Sequence, residues 1–417
     1  MQRREFIRNV GLTALSPFIL DSLLGCAGNS NSQRVLVLIQ LVGGNDGLNM
    51  LIPLDNYKAI TQVRPNLYIP ENKILQLSGN ELNGLHPSMD GIKEMFDDGL
   101  LSFIQGVGYE NPDYSHFRST DIWLTGSSSS QILKTGWMAR YLENKEPHVA
   151  SSVRVDELHP PAIKIGEMGT FLFQGTRSDL GVVVDPYVGL NVPDVDKAHL
   201  NSNTYSSEKI KSIREILLKT KRYEKVINDA LQLKSVNSGL YPEKGVNPLA
   251  DQLKTVAQLM HAGLQTSVFM VELKGFDTHD SQVDSNDTTK GTHANLLNML
   301  SQAITCFWDD LRLIGREDDV LGVTFSEFGR RIMSNASYGT DHGSAQPILV
   351  FGKNVKPGIW GNNPIIPDHV TLEDNLSVQY DFRNVFSSVM VDWLGAERNA
   401  MQDVFNVKES QIQIING

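Results

Sequence analysis

The chain has 417 residues, with 48 acidic and 37 basic side chains and a formal net charge of −11 at pH 7. This acidic balance, with no basic stripe that carries interleaved aromatic residues, argues against a nucleic-acid partner. Of the two cysteines, Cys26 lies in the N-terminal segment and Cys306 lies among apolar residues. We therefore expect a buried, unreactive thiol at Cys306 and no disulfide within the mature chain.

The first residues are typical of an export signal. Arg3 and Arg4 are adjacent, an apolar region follows from Val10 to Leu24, and a lipobox ends at Cys26. We expect residues 1–26 to form a twin-arginine lipoprotein signal and residues 27–33 to form a polar tether. Lipidation of Cys26 would hold the mature protein to the outer face of a bacterial membrane, in the periplasm or cell envelope.

Residues 34–417 are predicted to form one large α/β domain, since no Pro-rich or Ser/Gly-rich linker follows the tether. Apolar, β-branched runs typical of strands buried on both faces alternate with helical patterns. The runs are 35–39, 101–104, 267–271, 320–324 and 348–351, and the helical patterns include 293–313 and 381–394. This alternation predicts a mostly parallel central sheet with helices on both faces. Two amphipathic helices, 207–233 and 249–264, are expected within a helical insertion over about 206–264.

Five polar clusters recur where apolar runs end, and parallel sheets bind ligands at that edge. They are Gly43-Gly44-Asn45-Asp46-Gly47, Tyr114-Ser115-His116-Phe117, Gly275-Phe276-Asp277-Thr278-His279, Ser326-Glu327-Phe328-Gly329-Arg330-Arg331 and Gly339-Thr340-Asp341-His342-Gly343. Adjacent carboxylate and imidazole groups, as in Asp341-His342, suit a hard or borderline cation. Taken alone, that motif is equally explained by a turn whose Asp accepts hydrogen bonds from backbone N–H groups.

Seven motifs, in this order, resemble those of the domain of unknown function 1501 family, which is placed within the alkaline-phosphatase-like superfamily. The motifs are Gly43 to Asn49, Leu85-His86-Pro87, Ser115-His116-Phe117, Gly136-Trp137, Asp277-Thr278-His279, Ser326 to Arg330 and Gly339 to Gly343. The resemblance implies an alkaline-phosphatase-like fold, a site with one or two cations, and a hydroxyl or thiol nucleophile that attacks phosphorus or sulfur esters.

The resemblance also implies metal ligands. These are Asp46, Asp277, His279, Asp341 and His342. The Asp341-His342 pair lies well beyond the strand at 320–325, whereas Glu327 follows that strand closely. Either a loop returns Asp341 to the site or Glu327 has taken the ligand role, so Glu327 is also a candidate. Mixed Asp and His ligation favours zinc or manganese, with calcium or magnesium as the alternative if the imidazoles stay outside the coordination sphere.

Ser115 is the candidate nucleophile, since it lies where relatives place theirs, and His116 beside it is a candidate ligand or base. A serine hydroxyl is a poor nucleophile at neutral pH unless a cation or general base activates it. The alternative role of Ser115, as N-cap of a helix through Trp123, is compatible with catalysis. Arg330 is the candidate for neutralising charge on a tetrahedral anion, or else forms a surface ion pair. His86 is a further candidate ligand or a structural histidine.

Two hypotheses for the function follow from these residues. The first is a lipid-anchored, metal-dependent hydrolase or transferase that acts on a phosphate or sulfate ester of a small molecule or glycan. A formylglycine sulfatase is not expected, because the mature chain lacks a Cys or Ser followed by x-Pro-x-Arg. The second is a non-catalytic cell-envelope binding or assembly lipoprotein that reuses the fold. The fold alone does not choose between them.

Overall fold

The computed structural model describes residues 33–145, 159–176, 179–192, 205–233, 237–405 and 412–416. The predicted signal, Cys26 and all but the last residue of the predicted tether lie outside the described residues. Arg34–Gly417 form one compact unit. Within the described ranges, no helix combines the length and the apolar character needed to cross a bilayer.

The described elements form a large central sheet, a small second sheet and helices around them. The strands are β1 (Val35–Val42), β2 (Leu51–Pro53), β3 (Leu75–Leu77), β4 (Asn80–Leu85), β5 (Leu101–Gly108), β6 (Ala162–Ile165), β7 (Gly181–Val184), β8 (Val268–Lys274), β9 (Val320–Phe325), β10 (Gln346–Phe351), β11 (Gly358–Trp360) and β12 (Tyr380–Asp381). The α-helices are α1 (Gly47–Met50), α2 (Tyr57–Val63), α3 (Asp90–Asp97), α4 (His116–Thr125), α5 (Trp137–Lys145), α6 (Tyr205–Gln232), α7 (Pro248–His261), α8 (Thr292–Leu313), α9 (Phe382–Asp392) and α10 (Ala400–Phe405).

The central sheet is mostly parallel, as predicted. Its order is β11-β5-β10-β9-β1-β8-β6-β7, with β12 beside β5. Strand β1 pairs in parallel with β8 and β9, and β6 pairs in parallel with β7 and β8. The exception among the predicted strands is β10, which is antiparallel to both β5 and β9. The start of β10 therefore lies at the same edge of the sheet as the ends of β1, β5, β8 and β9.

Helices cover both faces of this sheet, which confirms the second part of the predicted architecture. Side chains alternate along β1, so Val35, Val37 and Ile39 enter one core while Leu36 and Leu38 enter the other. The first core contains residues of α3, α6, α7 and α8, and the second contains residues of α4, α5, α9 and α10. Because both faces are buried, the strands have to be apolar on both sides.

The predicted helices form at nearly the predicted positions. Helix α7 begins after Asn247, whose side-chain oxygen accepts a hydrogen bond from the Ala250 backbone N–H, and Pro248 occupies its first turn. Leu253 and Val256 of α7 are buried in the first core. This second helix of the predicted insertion is therefore part of the layer that covers the sheet.

Candidate metal centre

The predicted polar clusters meet at one edge of the sheet. The loops after β1, β5, β8 and β9 leave this edge, and the loop that precedes β10 returns to it because β10 runs antiparallel. Arg330 and His342 form an isolated antiparallel bridge that closes the loop between β9 and β10. A loop thus returns the Asp341-His342 pair to the edge where Glu327 also lies.

Three imidazole groups surround the carboxylate of Asp277. His116 Nε2 lies 3.4 Å from Asp277 Oδ2, and the Nε2 atoms of His279 and His342 lie 3.1 and 3.2 Å from Asp277 Oδ1. The Nε2 atoms of His279 and His342 are 2.7 Å apart. Ligand atoms of His116, Asp277 and His342 all lie within 4.8 Å of one another. The arrangement brings together four of the residues predicted to form the site.

Each of the three histidines has its Nδ1 atom next to an oxygen. The pairs are His116 with Glu327 Oε1 (2.8 Å), His279 with Asp341 Oδ1 (3.1 Å) and His342 with the Tyr114 carbonyl (2.7 Å). A carbonyl or an ionised carboxylate only accepts hydrogen bonds, so each Nδ1 must carry the proton. In the neutral rings, every Nε2 lone pair is then directed toward the group around Asp277, as in metal-binding histidines held by a second hydrogen bond.

The nitrogen atoms in this group fit a divalent cation. Two Nε2 lone pairs that face each other at 2.7 Å repel unless a proton or a cation lies between them. Burial lowers the pKa of His342, although its bond to the Tyr114 carbonyl opposes this, so a neutral ring is favoured at neutral pH. In addition, His116 Nε2 is buried and has no hydrogen-bond partner. His116, His342 and Asp277 thus supply two nitrogen donors and a carboxylate at the spacing of metal ligands, with His279 Nε2 beside them.

Asp277 supplies the negative charge of the group. Burial raises the pKa of Asp277, but the hydrogen bond from the Arg330 guanidinium and its positive charge more than offset this, and the net pKa is about 2. The Asp277 side chain is 48% exposed, so it faces solvent on one side and the imidazoles on the other. It is therefore ionised and accessible at neutral pH.

Glu327 is buried behind His116. Its Oε1 atom accepts hydrogen bonds from the Gly43 backbone N–H at 2.9 Å and from His116 Nδ1, and that second bond is the main cause that raises the pKa of His116. Gly43 has φ of 123°, and a Cβ atom there would lie 2.3 Å from the backbone nitrogen of Asp277. Only glycine allows this close approach of the β1 and β8 loops.

Arg330 differs from its predicted role. Its guanidinium is buried and donates to the carbonyl oxygens of Gly44 (2.7 Å), Thr340 (2.7 Å), Phe276 (2.9 Å) and Gly43, and to Asp277 Oδ1 (2.9 Å). These bonds join the loops after β1 and β8 to the loop before β10. Arg330 is thus buried and bonded to Asp277, whereas an exposed clamp for a tetrahedral anion or a surface ion pair would leave its guanidinium at the surface.

Asp46 lies apart from the group around Asp277. Both of its carboxylate oxygens accept hydrogen bonds from Arg64 Nη1, at 2.8 and 2.7 Å, and Oδ2 accepts another from Gln282 Nε2 at 2.6 Å. Burial raises the pKa of Asp46, but Arg64 more than offsets this, so the net pKa is lowered. The structure pairs Asp46 with an internal arginine and does not place it in the set of converging ligand atoms.

Ser115 occupies the N-cap position of α4, the place that its alternative role predicts. It is exposed, and its hydroxyl makes no capping hydrogen bond to the helix. His86 is buried, accepts a hydrogen bond from the Ser88 N–H at Nδ1, and has its pKa lowered by burial to about 3. It is therefore a neutral, hydrogen-bonded histidine, as its structural alternative requires.

Two contributors to the site, Arg64 and Gln282, lie outside every motif quoted from the sequence, and Tyr114 appears there only as a member of a polar cluster. Arg64 follows α2 in a segment without a motif, and Tyr114 contributes a backbone carbonyl, which any residue has. Gln282 lies three residues after the Asp277-Thr278-His279 motif, and an extension of that motif along the chain could have identified it.

Part of the chain matches a known protein family. Residues 190–383 match the family model described as Protein of unknown function (DUF1501), and this range contains the motifs at 277–279, 326–330 and 339–343. A search of curated proteins gave no match.

One similar solved structure is that of a protein in the alkaline phosphatase superfamily from Vibrio parahaemolyticus, with 12% identity and a TM-score of 0.38. The match covers 80% of this chain and 63% of that protein. Alkaline phosphatase from the Antarctic bacterium TAB5 has 10% identity and a TM-score of 0.34, with 90% of this chain and 99% of that one covered. The PsFucS1 sulfatase from Pseudoalteromonas sp. has 8% identity and a TM-score of 0.36, with 82% of this chain and 66% of that one covered. At these values the likenesses carry no argument about activity. The chain is thus similar to the DUF1501 family over residues 190–383, the part that carries these three motifs.

Proposed function

We propose that this chain is an exported, lipid-anchored, metal-dependent hydrolase or transferase that acts on a phosphate or sulfate ester of a small molecule or glycan. The observation that carries the proposal is the convergence of three imidazole Nε2 atoms on the Asp277 carboxylate. His116, His279, His342 and Asp277 would hold zinc or manganese. Glu327 and Asp341 are then the hydrogen-bond partners that fix the ligand rings, which is how metal-binding histidines are commonly oriented.

Residues of the chain would position the metal ligands and attack the ester. A bound divalent cation would supply Lewis acidity, which polarises an ester and favours an ionised oxygen nearby. The exposed Ser115 hydroxyl, next in the chain to His116 and without a capping bond, is the candidate nucleophile. His116 is assigned as a ligand rather than a base, since its unpartnered Nε2 faces Asp277. Arg330 holds the Asp277 carboxylate in place.

Elemental analysis combined with an ester screen tests this function. Mature protein purified without chelators should contain zinc or manganese and should hydrolyse or transfer some members of a panel of phosphate and sulfate esters. His342→Ala should lose both properties, and His369→Ala, a control at an exposed histidine outside the group, should keep both. Protein without metal would refute the proposal. Protein replete with metal but inert toward every ester, yet able to bind a glycan or an envelope protein, would favour the non-catalytic alternative.

The export part of the proposal depends on Arg3, Arg4 and Cys26. Replacing both arginines by lysine should trap the precursor in the cytoplasm, because the twin-arginine pathway requires that pair. Cys26→Ser should release soluble protein or block processing. Cell fractionation with fatty-acid labelling measures both effects. Normal export of the double-lysine protein would exclude the twin-arginine pathway, and a lipid-labelled Cys26→Ser product would exclude the anchor.

A further inference from the structure

The carboxylate of Asp46 is fully engaged by protein groups. Arg64 Nη1 contacts both of its oxygens, and the remaining nitrogens of Arg64 donate to the carbonyls of Ile332 (2.7 Å) and Arg331 (2.6 Å). Arg64 is completely buried and Asp46 is 1% exposed. A buried carboxylate with a fixed guanidinium beside it has its charge already balanced. A cation that bound Asp46 would have to displace Arg64 Nη1 from the carboxylate, while the other nitrogens of Arg64 hold the guanidinium in place.

Gln282 connects Asp46 to the loops that carry the metal ligands. Its Nε2 donates to Asp46, while its Oε1 accepts from the hydroxyls of Thr278 (3.0 Å) and Thr340 (2.7 Å). The carboxylate only accepts and the hydroxyls can donate, so the amide has one consistent orientation. Each threonine is adjacent in the chain to a residue of the centre. Gln282 thus links Asp46 to both of these loops.

The formal charges around the centre match one divalent cation. Four carboxylates and two buried guanidinium groups leave two negative charges when the imidazoles are neutral. The carboxylates are Asp46, Asp277, Glu327 and Asp341, and the guanidinium groups are those of Arg64 and Arg330. The nearby Arg331 is balanced by Glu373 at 2.7 Å. A second divalent cation would leave an excess of two positive charges at a partly buried site, which is unfavourable.

We infer that Arg64 takes the place of a second cation, so that the centre binds one divalent ion and Asp46 is a positioning residue rather than a ligand. This inference rests on the metal site of the proposed function, and adds the number of ions and the role of Asp46.

Zinc titration of the mature protein tests the number of ions. Equilibrium dialysis followed by elemental analysis should show saturation at one zinc per chain, which persists in excess zinc. Saturation at two would overturn the inference while leaving a metal-dependent function intact. If no zinc binds, the metal centre of the proposed function is itself wrong, and the inference falls with it.

Substitutions test the role of Asp46 without leaving an unpaired buried charge. The double variant Asp46→Asn with Arg64→Gln removes both charges and keeps hydrogen-bonding groups at both positions. We expect it to bind one zinc with a Kd raised by no more than about 100-fold, the range that follows loss of an outer partner, since no ligand is lost. A greater loss of affinity in the folded double variant would make Asp46 a ligand and overturn the inference.

Gln282→Leu tests the connection itself. Loss of a hydrogen-bond partner that orients metal ligands typically weakens binding by about 10–100-fold, so we expect a change in zinc Kd of that size. The visible absorption of the cobalt-substituted protein should also shift, because the ligand loops move. The matched control is Gln265→Leu at an exposed glutamine, which should change neither property. An unchanged Kd and cobalt spectrum in Gln282→Leu would exclude the positioning role.

Discussion

Replacement of Asp277 by Asn perturbs the centre where its contacts converge. The carboxylate accepts a hydrogen bond from Arg330 and contacts all three imidazole rings. Its pKa of about 2, compared with an ordinary value of 3.8, corresponds to about 2.5 kcal/mol of interaction that favours the ionised form. Because the side chain is 48% exposed, solvent screening reduces this value. We expect Asp277→Asn to lower the free energy of unfolding of the metal-free protein by about 1 kcal/mol at pH 7.

The pH dependence of this difference follows from the direction of the pKa shift. The folded-state pKa of Asp277 is below its ordinary value, so its ionised form stabilises the folded protein above about pH 4. This stabilisation is lost as the pH falls toward about 2, where the carboxylate takes up a proton. The two proteins should therefore differ at pH 7 and approach each other in stability near pH 2.

Urea unfolding in the presence of a chelator, at pH 7 and at the lowest pH where the protein folds, measures the stability difference. Zinc binding by the same proteins measures the ligand role, and we expect Asp277→Asn to lose more affinity than the roughly 10–100-fold that follows loss of an outer partner. Asp280→Asn is the matched control, because Asp280 is exposed and lies outside the ligand group. Equal stability at pH 7 together with equal zinc affinity would refute the reasoning. Equal stability with lost zinc binding would retain the ligand role and remove the contribution of the Arg330 bond.

Three further substitutions distinguish the roles of neighbouring residues. Ser115→Ala should lower turnover of an identified ester on the order of 10³-fold or more while zinc content is unchanged, and full turnover would exclude nucleophilic attack by Ser115. Glu327→Gln should weaken zinc binding by about 10–100-fold. NMR titration of the metal-free variant should also show a lower pKa for His116, because the hydrogen bond to Glu327 is the main cause that raises this pKa. An unaltered His116 titration would contradict this. Arg330→Met should lower the free energy of unfolding by about 3 kcal/mol or more, because it leaves Asp277 and four carbonyls without their donor. A stable Arg330→Met protein that loses only turnover would restore the catalytic role predicted from the sequence.

The central sheet was predictable because its strands are buried on both faces. Each residue of the predicted run at 35–39 is buried, and such a run has few alternatives to a central strand. The direction of β10 was not predictable in the same way, since an apolar run looks alike in either direction. That one reversal places the start of β10, and with it Asp341 and His342, at the edge where the parallel strands end.

Adjacent arginines show how burial separates residues that the sequence presents as equivalent. Arg330 is buried under the loops and donates to four carbonyls, whereas Arg331 extends toward Glu373 and Tyr114. Arg330 lies in a short bridged segment opposite His342, and successive side chains of extended backbone point to opposite sides. The two-residue motif therefore contains one positioning residue and one residue near the surface, and only the register of the bridge decides which is which.

The sequence also presents the carboxylates of the centre as equivalent. Asp277, Glu327 and Asp341 all lie next to strands at one edge of the sheet. From the sequence, an acidic residue at such a place is equally consistent with a metal ligand and with an acceptor for the Nδ1 proton of a ligand histidine. Only the geometry separates these uses: Asp277 faces the three Nε2 atoms, while Glu327 and Asp341 face Nδ1 atoms. An imidazole has two nitrogens, and a metal takes one while the other needs an acceptor. A centre with three histidines must therefore have about as many acceptors as imidazoles, and here two carboxylates and the Tyr114 carbonyl fill those places.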